Sequence, residues 1–265
     1  MFRLTREVRF AINCTPDSQT AAAPTNSFGG YPSLTGLGHY LTLQVCVAGE
    51  PAGRNHYLVN IKQIDQAVRR LGIPLVEARI REGRFGGGAV LLAEVFDLLK
   101  GAWPGVRLDA LALSLSPYLK LHLLSREHPM VRLSQKFEFS ASHRLHNPAL
   151  SDEENRRTFG KCNNPHGHGH NYEVQVTLVG KPDAKGVLID IPRFEQIVAT
   201  AVIDRFDHRN LNAEIPEFRE LIPSVENIAM TIYRLLKPKF QSESAKLASV
   251  TVWETPKTWC EYGEE

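Results

Sequence analysis

From Phe137 to His143 the chain alternates. Phe137, Phe139, Ala141 and His143 share one parity, and Glu138, Ser140 and Ser142 the other. A period of two predicts a strand whose two sets of side chains face opposite ways. Asn147 to Pro165 carries Pro, Asn, Asp and Gly and reads as a long loop. Tyr172, Val174, Val176 and Leu178 then alternate with Glu173, Gln175 and Thr177, a second strand that Gly180-Lys181-Pro182-Asp183 ends. A short extended stretch, Val187 to Ile191, leads into Pro192, which suits a first helical turn. Phe194, Ile197, Val198, Ala201 and Val202 follow helical spacing. A loop holds Asp207-His208-Arg209-Asn210, and Ser224 is placed to cap a second helix with Val225, Ile228, Ala229, Ile232 and Leu236 on one face. Leu247 to Glu254 and Thr258 to Tyr262 are the last strands, joined at Thr255-Pro256-Lys257. The predicted order is strand, strand, helix, helix, strand, strand.

The first half carries the same order at an offset of about 130 residues, the signature of an internal repeat. Val8-Arg9-Phe10-Ala11 matches Glu138 to Ala141, and Gly38 to Val45 matches the stretch from Gly169 to Val176. Leu58 to Ile61 matches Leu188 to Ile191, Val90 to Leu99 matches Asn227 to Leu236, and Leu111 to Pro117 matches Val250 to Pro256. The expected boundary falls near His128-Pro129, dividing the chain into 1–128 and 129–265. Each half is expected to be a four-stranded antiparallel sheet with two helices on one face, an α+β fold. The exposed edges of such sheets favour closure into a ring of several chains, a homo-oligomer.

With 265 residues, 43% hydrophobic and 23% charged, the chain is of ordinary globular composition. The net charge of +2 has no concentrated basic stretch, which argues against a nucleic-acid partner. The longest apolar run, Ala89 to Leu99, holds Glu94 and Asp97 and is too short to span a bilayer. The opening MFRLTREVRF lacks the apolar core of a signal peptide. Cys14, Cys46, Cys162 and Cys260 form no short-range pairs, which suits a reducing compartment. Together these features predict a cytoplasmic protein with no membrane partner.

Chemistry concentrates in the second half. His168 and His170 lie two apart, so their imidazoles share a side of a strand, and His143 shares a face with Phe137 and Phe139 on the neighbouring one. Three neutral imidazoles make a plausible three-His zinc site with a fourth position open to water or substrate. The alternative is a polar HGHGH turn with His143 merely ending a strand. Cys162 stands in a polar, Gly-rich run beside Lys161, a setting that favours a thiolate over a buried filler, with zinc ligation as its rival role. Asp207-His208 is either a helix-terminal surface pair or a proton relay. Glu254 follows Val250 and Val252 in parity, and a carboxylate on that face needs partners, unless it is a surface residue of an edge strand.

FSASHRL, FGKCNNPHGHGHNY, DHRNLN, SVENIA and WETP together resemble the 6-pyruvoyl-tetrahydropterin synthase family, over about Val131 to Tyr262. The resemblance implies the tunnelling fold (T-fold), here as two tandem copies, and a lyase acting on 7,8-dihydroneopterin triphosphate. It implies His143, His168 and His170 as zinc ligands and Cys162 as general base. Asp207 and His208 become its catalytic partners, supplied by a neighbouring subunit. Glu254 becomes the anchor of the pterin ring, and Glu226 a further pterin contact. Arg144 and Lys161 are candidate triphosphate contacts on charge grounds. One departure is His166, where some members carry Asn, which adds an alternative ligand. The same family contains 6-carboxytetrahydropterin synthases of queuosine biosynthesis, which release acetaldehyde. In those the Cys stands nearer the HxH pair than the five residues between Cys162 and His168 here. A pterin- or zinc-binding assembly protein without catalysis is the reading from another class.

The first half departs from the motif. Cys14 stands at the His143 position, Leu37 at that of His168, Leu115 at that of Glu254 and Ala89 at that of Glu226, and only His39 matches His170. The loop from Thr15 to Leu37 holds no cysteine. The first half is therefore expected to be catalytically silent and to serve assembly, in a trimer imitating a hexamer or in a dimer. No GxGxxG fingerprint is present, and zinc is the sole cofactor expected.

Overall fold

A computed structural model describes residues 1–14, 27–83, 87–241 and 243–264. The chain divides into two compact units, Met1–Ser134 with Gly180–Leu188, and Gln135–Val179 with Ile189–Glu265.

In the first unit, β1 (Phe2–Asn13) and β2 (Gly38–Gly49) precede α1 (Ile61–Ala67), a π turn (Val68–Gly72), α2 (Ile73–Arg81) and α3 (Gly88–Leu99), and β3 (Arg107–Ser114) and β4 (Leu119–Leu124) follow. The strands run β1-β2-β3-β4, each antiparallel to the next. Val8 lies opposite Leu43, Leu43 opposite Leu113, and Leu113 opposite Leu121. This row is buried across the sheet, as are Ile64, Val68, Leu92 and Val95 of the helices. Asn60 caps α1 by accepting the Lys62 amide. Much of the loop from Thr15 to Leu37, namely 15–26, lies outside the described residues.

In the second unit, β5 (Val131–His143, from Gln135 onward in this unit) and α4 (Asp152–Phe159) lead to β6 (His168–Gly180). Next come α5 (Ile191–Val198), a second π turn (Ala199–Ile203) and α6 (Asp204–Phe206). Then follow β7 (Arg209–Asn210), α7 (Leu211–Glu214), α8 (Val225–Leu236), β8 (Lys246–Thr255) and β9 (Thr258–Tyr262). The strand order is β5-β6-β8-β9, and β7 adds a short parallel pairing to β5 at Ala141 and Ser142. Tyr172, Val174, Val176, Val250 and Val252 form the buried face, with Phe194, Val198, Val202, Ile228 and Ile232 of the helices equally buried. The α+β class is thus observed, with four-stranded antiparallel order in each unit.

Two features differ from the sequence-based expectation. The stretch from Asn147 to Pro165 is not all loop, because α4 forms within it. Ser151 accepts the Glu154 amide and the Glu154 side chain returns a bond to Ser151, a complete capping box. Val187 to Ile191 leads into α5 as expected, after a turn in which Asp183 accepts the amides of Lys185 and Val187. The division also differs from 1–128 and 129–265. Gly180–Leu188 groups with the first unit, where Gly186, at φ +78°, sets its carbonyl so close to Gly87 that a side chain at 87 would collide with it. All four cysteines are free. Among the described residues no helix is long and apolar enough to cross a membrane.

Candidate metal and catalytic site

The parity of β5 carries Phe139, Ala141 and His143 inward, and His143 is fully buried. Its Nδ1 lies 2.7 Å from the Pro223 carbonyl. A carbonyl only accepts, so Nδ1 bears the hydrogen and the Nε2 lone pair faces the opposite way. There it meets Nε2 of His168 at 3.2 Å. The parity of β6 brings His170 to the same side, its ring centroid 4.9 Å from that of His168. On β8, Val252 lies opposite Val174 and Trp253 opposite Glu173. Glu254 follows on the inward parity, and its Oε1 stands 3.1 Å from Nε2 of His143 and 3.3 Å from Nε2 of His170. One donor atom from each of His143, His168, His170 and Glu254 lies within 4.8 Å of all the others. Tyr172 forms the floor, stacked on Phe139 at 4.9 Å and edge-on to both His143 and His170.

The electrostatics match a cation site. Burial holds His168 and His170 below the ordinary imidazole range, with neighbouring histidines adding to the effect and Glu254 opposing it, so both favour the neutral, ligating form. Closeness to His143 first, then to His170 and His168, holds Glu254 below the usual carboxylate range against its burial. Nε2 of His170 is buried with no hydrogen-bond partner. Lone pairs converging at such distances repel one another unless a cation lies among them.

Cys162 sits in the turn Gly160–Asn163 that follows α4. Gly160 permits the turn with φ +53°. The Leu145 amide donates to the Cys162 carbonyl at 2.9 Å. The neighbouring Asn163 is buried, and Arg144 Nε reaches both its backbone and side-chain oxygens, at 3.1 and 3.2 Å. His146 Nδ1 lies 3.1 Å from the same side-chain oxygen. Burial pushes the Tyr172 phenol up, and the charges of Glu254 and Cys162 push it further, so thiol and carboxylate both act on the same buried phenol. Cys162 does not join the four-residue cluster, and His166 is exposed outside it. Lys161 is exposed, whereas Arg144 spends its Nε on Asn163.

Asp207 and His208 lie elsewhere. Asp207 Oδ1 accepts the Ser140 amide at 2.8 Å, and the His208 amide donates to the Ser140 carbonyl. The pair is thereby fastened to the edge of β5 that does not face β6. Asp207 Oδ2 lies 2.7 Å from His208 Nδ1, and the His208 side chain is 83% exposed. His208 adopts φ +57°, an uncommon backbone state for a non-glycine residue and one that clusters at functional sites. Asn212, which the sequence reading passed over, brackets Arg144 by accepting its amide and donating to its carbonyl. Glu226 is exposed in the first turn of α8, outside the cluster, and its charge reaches Cys260.

In the first unit, Cys14, Leu37 and His39 are exposed and Ala89 is buried in α3. Among the described residues, the group formed by His143, His168, His170 and Glu254 is the only metal-ligating cluster of its kind.

The description "6-pyruvoyl tetrahydropterin synthase" belongs to the family model that matches residues 132–265. The 6-pyruvoyl tetrahydrobiopterin synthase of Drosophila melanogaster is 38% identical over 137 residues, which cover 51% of this chain and 81% of the fly protein. A solved structure of Caenorhabditis elegans 6-pyruvoyl tetrahydropterin synthase is 39% identical, covering 52% of this chain and 97% of that one, with a TM-score of 0.49. The 6-carboxy-5,6,7,8-tetrahydropterin synthase of Haemophilus influenzae is 27% identical over 154 residues, covering 51% of this chain and the whole of that protein.

Proposed function

The chain belongs to the 6-pyruvoyl tetrahydropterin synthase family through residues 132–265, and from that premise we propose that it is a zinc-dependent lyase converting 7,8-dihydroneopterin triphosphate to 6-pyruvoyl-tetrahydropterin with loss of triphosphate. The observation that carries this reading is the convergence of His143, His168 and His170 at the inner ends of two paired strands. The donor set fits a metal. The His143 tautomer is fixed by Pro223, the other two rings favour their neutral forms, and Nε2 of His170 is buried without a partner. Imidazole donors of this number suit zinc. When bound, the ion supplies Lewis-acid polarisation of the substrate's side-chain hydroxyls.

The protein's own groups carry the proton transfers. Cys162, as thiolate, takes a proton from the side-chain carbon whose acidity that polarisation raises. Asp207 and His208 return or relay it. The Ser140 amide, then His208, holds the Asp207 carboxyl below the usual range, which keeps a negative charge beside the imidazole. Because this pair is fastened to the far edge of β5, it serves a neighbouring copy's Cys162, in keeping with a homo-oligomer of tunnelling-fold units. Glu254 accepts two N–H donors from the guanidine-like edge of the pterin, Glu226 contacts it from the start of α8, and Arg144 and Lys161 lie on the triphosphate side. Reduction of the ring balances oxidation of the side chain, so no nicotinamide is needed.

The first half is read as a second, catalytically silent tunnelling-fold copy that serves assembly. Both units run strand, strand, helices, strand, strand, and both carry a five-residue π turn at the matching place, Val68–Gly72 and Ala199–Ile203. The helix that precedes each π turn opens on a capping side chain, Asn60 for α1 and Asp190 for α5. The chain is read as cytoplasmic.

Anaerobic incubation of zinc-loaded protein with 7,8-dihydroneopterin triphosphate, followed by mass analysis of all products, tests the assignment. Pyruvoyl-tetrahydropterin with free triphosphate is expected. Carboxytetrahydropterin with acetaldehyde would move the chain to the 6-carboxy-5,6,7,8-tetrahydropterin synthase activity for which the Haemophilus influenzae relative is named. The higher identity to the fly enzyme and the Cys162–His168 spacing favour the pyruvoyl product. Unchanged substrate with intact pterin binding would leave a binding protein without catalysis.

A further inference from the structure

Glu254 occupies the place of a ligand more than that of a distant ring anchor. Donors at 2.0–2.2 Å around a tetrahedral zinc are separated from one another by about 3.3–3.5 Å. Here the separations are 3.1 Å for Glu254 and His143, 3.3 Å for Glu254 and His170, and 3.2 Å for His143 and His168. All four donor atoms fall within 4.8 Å of one another. The Glu254 side chain is only 19% exposed, and its partners in the cluster are imidazoles rather than a lysine or arginine.

We propose that Glu254 is the fourth metal ligand of the substrate-free chain, and that the pterin ring draws this carboxylate off the metal and so opens the coordination position that the substrate's hydroxyls take. The inference rests on the zinc-lyase reading and deepens it. Accepting the two ring N–H donors of the guanidine-like edge engages both carboxylate oxygens, Oε1 included, so pterin and metal compete for this side chain. Ring recognition and metal opening are therefore one event. A closed four-coordinate site is the resting arrangement of structural zinc, and an open one that of catalytic zinc. In this chain the same side chain converts one into the other, and only where a pterin is present.

The test uses the full chain loaded with cobalt(II), whose visible spectrum reports coordination number, and the phosphate-free 7,8-dihydroneopterin as probe. The wild type is expected to give a four-coordinate spectrum that the probe converts toward five-coordinate. Glu254→Gln and Glu254→Ala are expected to keep one metal per chain on the three histidines, with an altered spectrum and zinc affinity lower by about 10–100-fold. Identical spectra and indistinguishable zinc affinities in wild type and both variants would overturn the inference. So would a wild-type spectrum that the bound probe leaves unchanged. A wild type that binds neither cobalt nor zinc would overturn the metal reading itself, a failure visible without either variant. Glu254→Gln is nearly isosteric and supplies the comparison should Glu254→Ala fail to fold.

Discussion

His143 gives its Nδ1 hydrogen to the carbonyl of Pro223 at 2.7 Å, and this one bond ties the end of β5 to the entry of α8. The bond fixes the tautomer, and the tautomer aims Nε2 at the cluster. His143→Ala removes both the ligand and the carbonyl's partner. In metal-free protein it is expected to lower the unfolding free energy by about 1–3 kcal/mol for the unpaired carbonyl, with a cavity term added. Urea denaturation of chelator-treated wild type and variant checks it. Equal midpoints would mean that the carbonyl finds water and the bond stabilises nothing.

Asn155 is fully buried, and its side chain accepts the Asn147 amide while donating to the carbonyls of Asn147, Leu150 and Ser151. It shapes the segment that leads into α4 and then to the Cys162 turn. Asn155→Ala strands several buried backbone groups and is expected to cost at least about 2 kcal/mol. Ser151→Ala, which removes only an exposed cap, is expected to cost about 1 kcal/mol. Hydrogen exchange over 147–163 reads both. The larger loss of protection belongs to Asn155→Ala, and a reversed order would show that the cap holds the segment.

Alternation along the sequence was enough to set His143, His168, His170 and Glu254 on one face, because each strand of this sheet buries a single side and a slip of one residue would expose its apolar set. Composition misled at Asn147 to Pro165. Pro, Asn and Gly there suggest a loop, yet Ser151 and Glu154 spell a capping box, a signal present in the sequence and outweighed by its neighbours. At Arg144 charge is silent on the surroundings. Its Nε serves Asn163, a partner 19 positions away that no local pattern reveals. The bracket of Asn212 around Arg144 and the seating of Asp207 on Ser140 are tertiary hydrogen bonds of the same kind. Periodicity reports which face is buried and is silent on which polar groups meet across a fold.

His122 on β4 offers a pH test away from the site. Burial, then the positive charges of Lys120 and Arg132, push its imidazole down to about 4 from an ordinary 6.5. As pH falls, the unfolded chain takes up this proton near 6.5 while the folded chain resists it until about 4. The stabilisation is therefore fully present above pH 6.5 and is lost progressively toward 4, by about 2–3 kcal/mol. His122→Gln, which does not titrate, is expected to flatten the fall. Urea midpoints of the metal-free chain at neutral pH and near pH 4.5 measure it, and parallel losses in wild type and variant would place the acid sensitivity elsewhere.

The seating of Asp207 and His208 on the edge of β5 away from β6 makes a prediction about shared sites. Cys162→Ala and His208→Ala are each expected to abolish turnover while leaving metal content intact, since neither residue belongs to the four-residue cluster. If a neighbouring copy supplies Asp207 and His208, the two inactive variants complement each other. After subunits are exchanged at equal concentration, about one quarter of sites combine an intact Cys162 with an intact His208. Activity should return to that level in the mixture and stay absent in either variant alone. A mixture that remains dead after verified exchange would mean that each chain must furnish both halves of its own site.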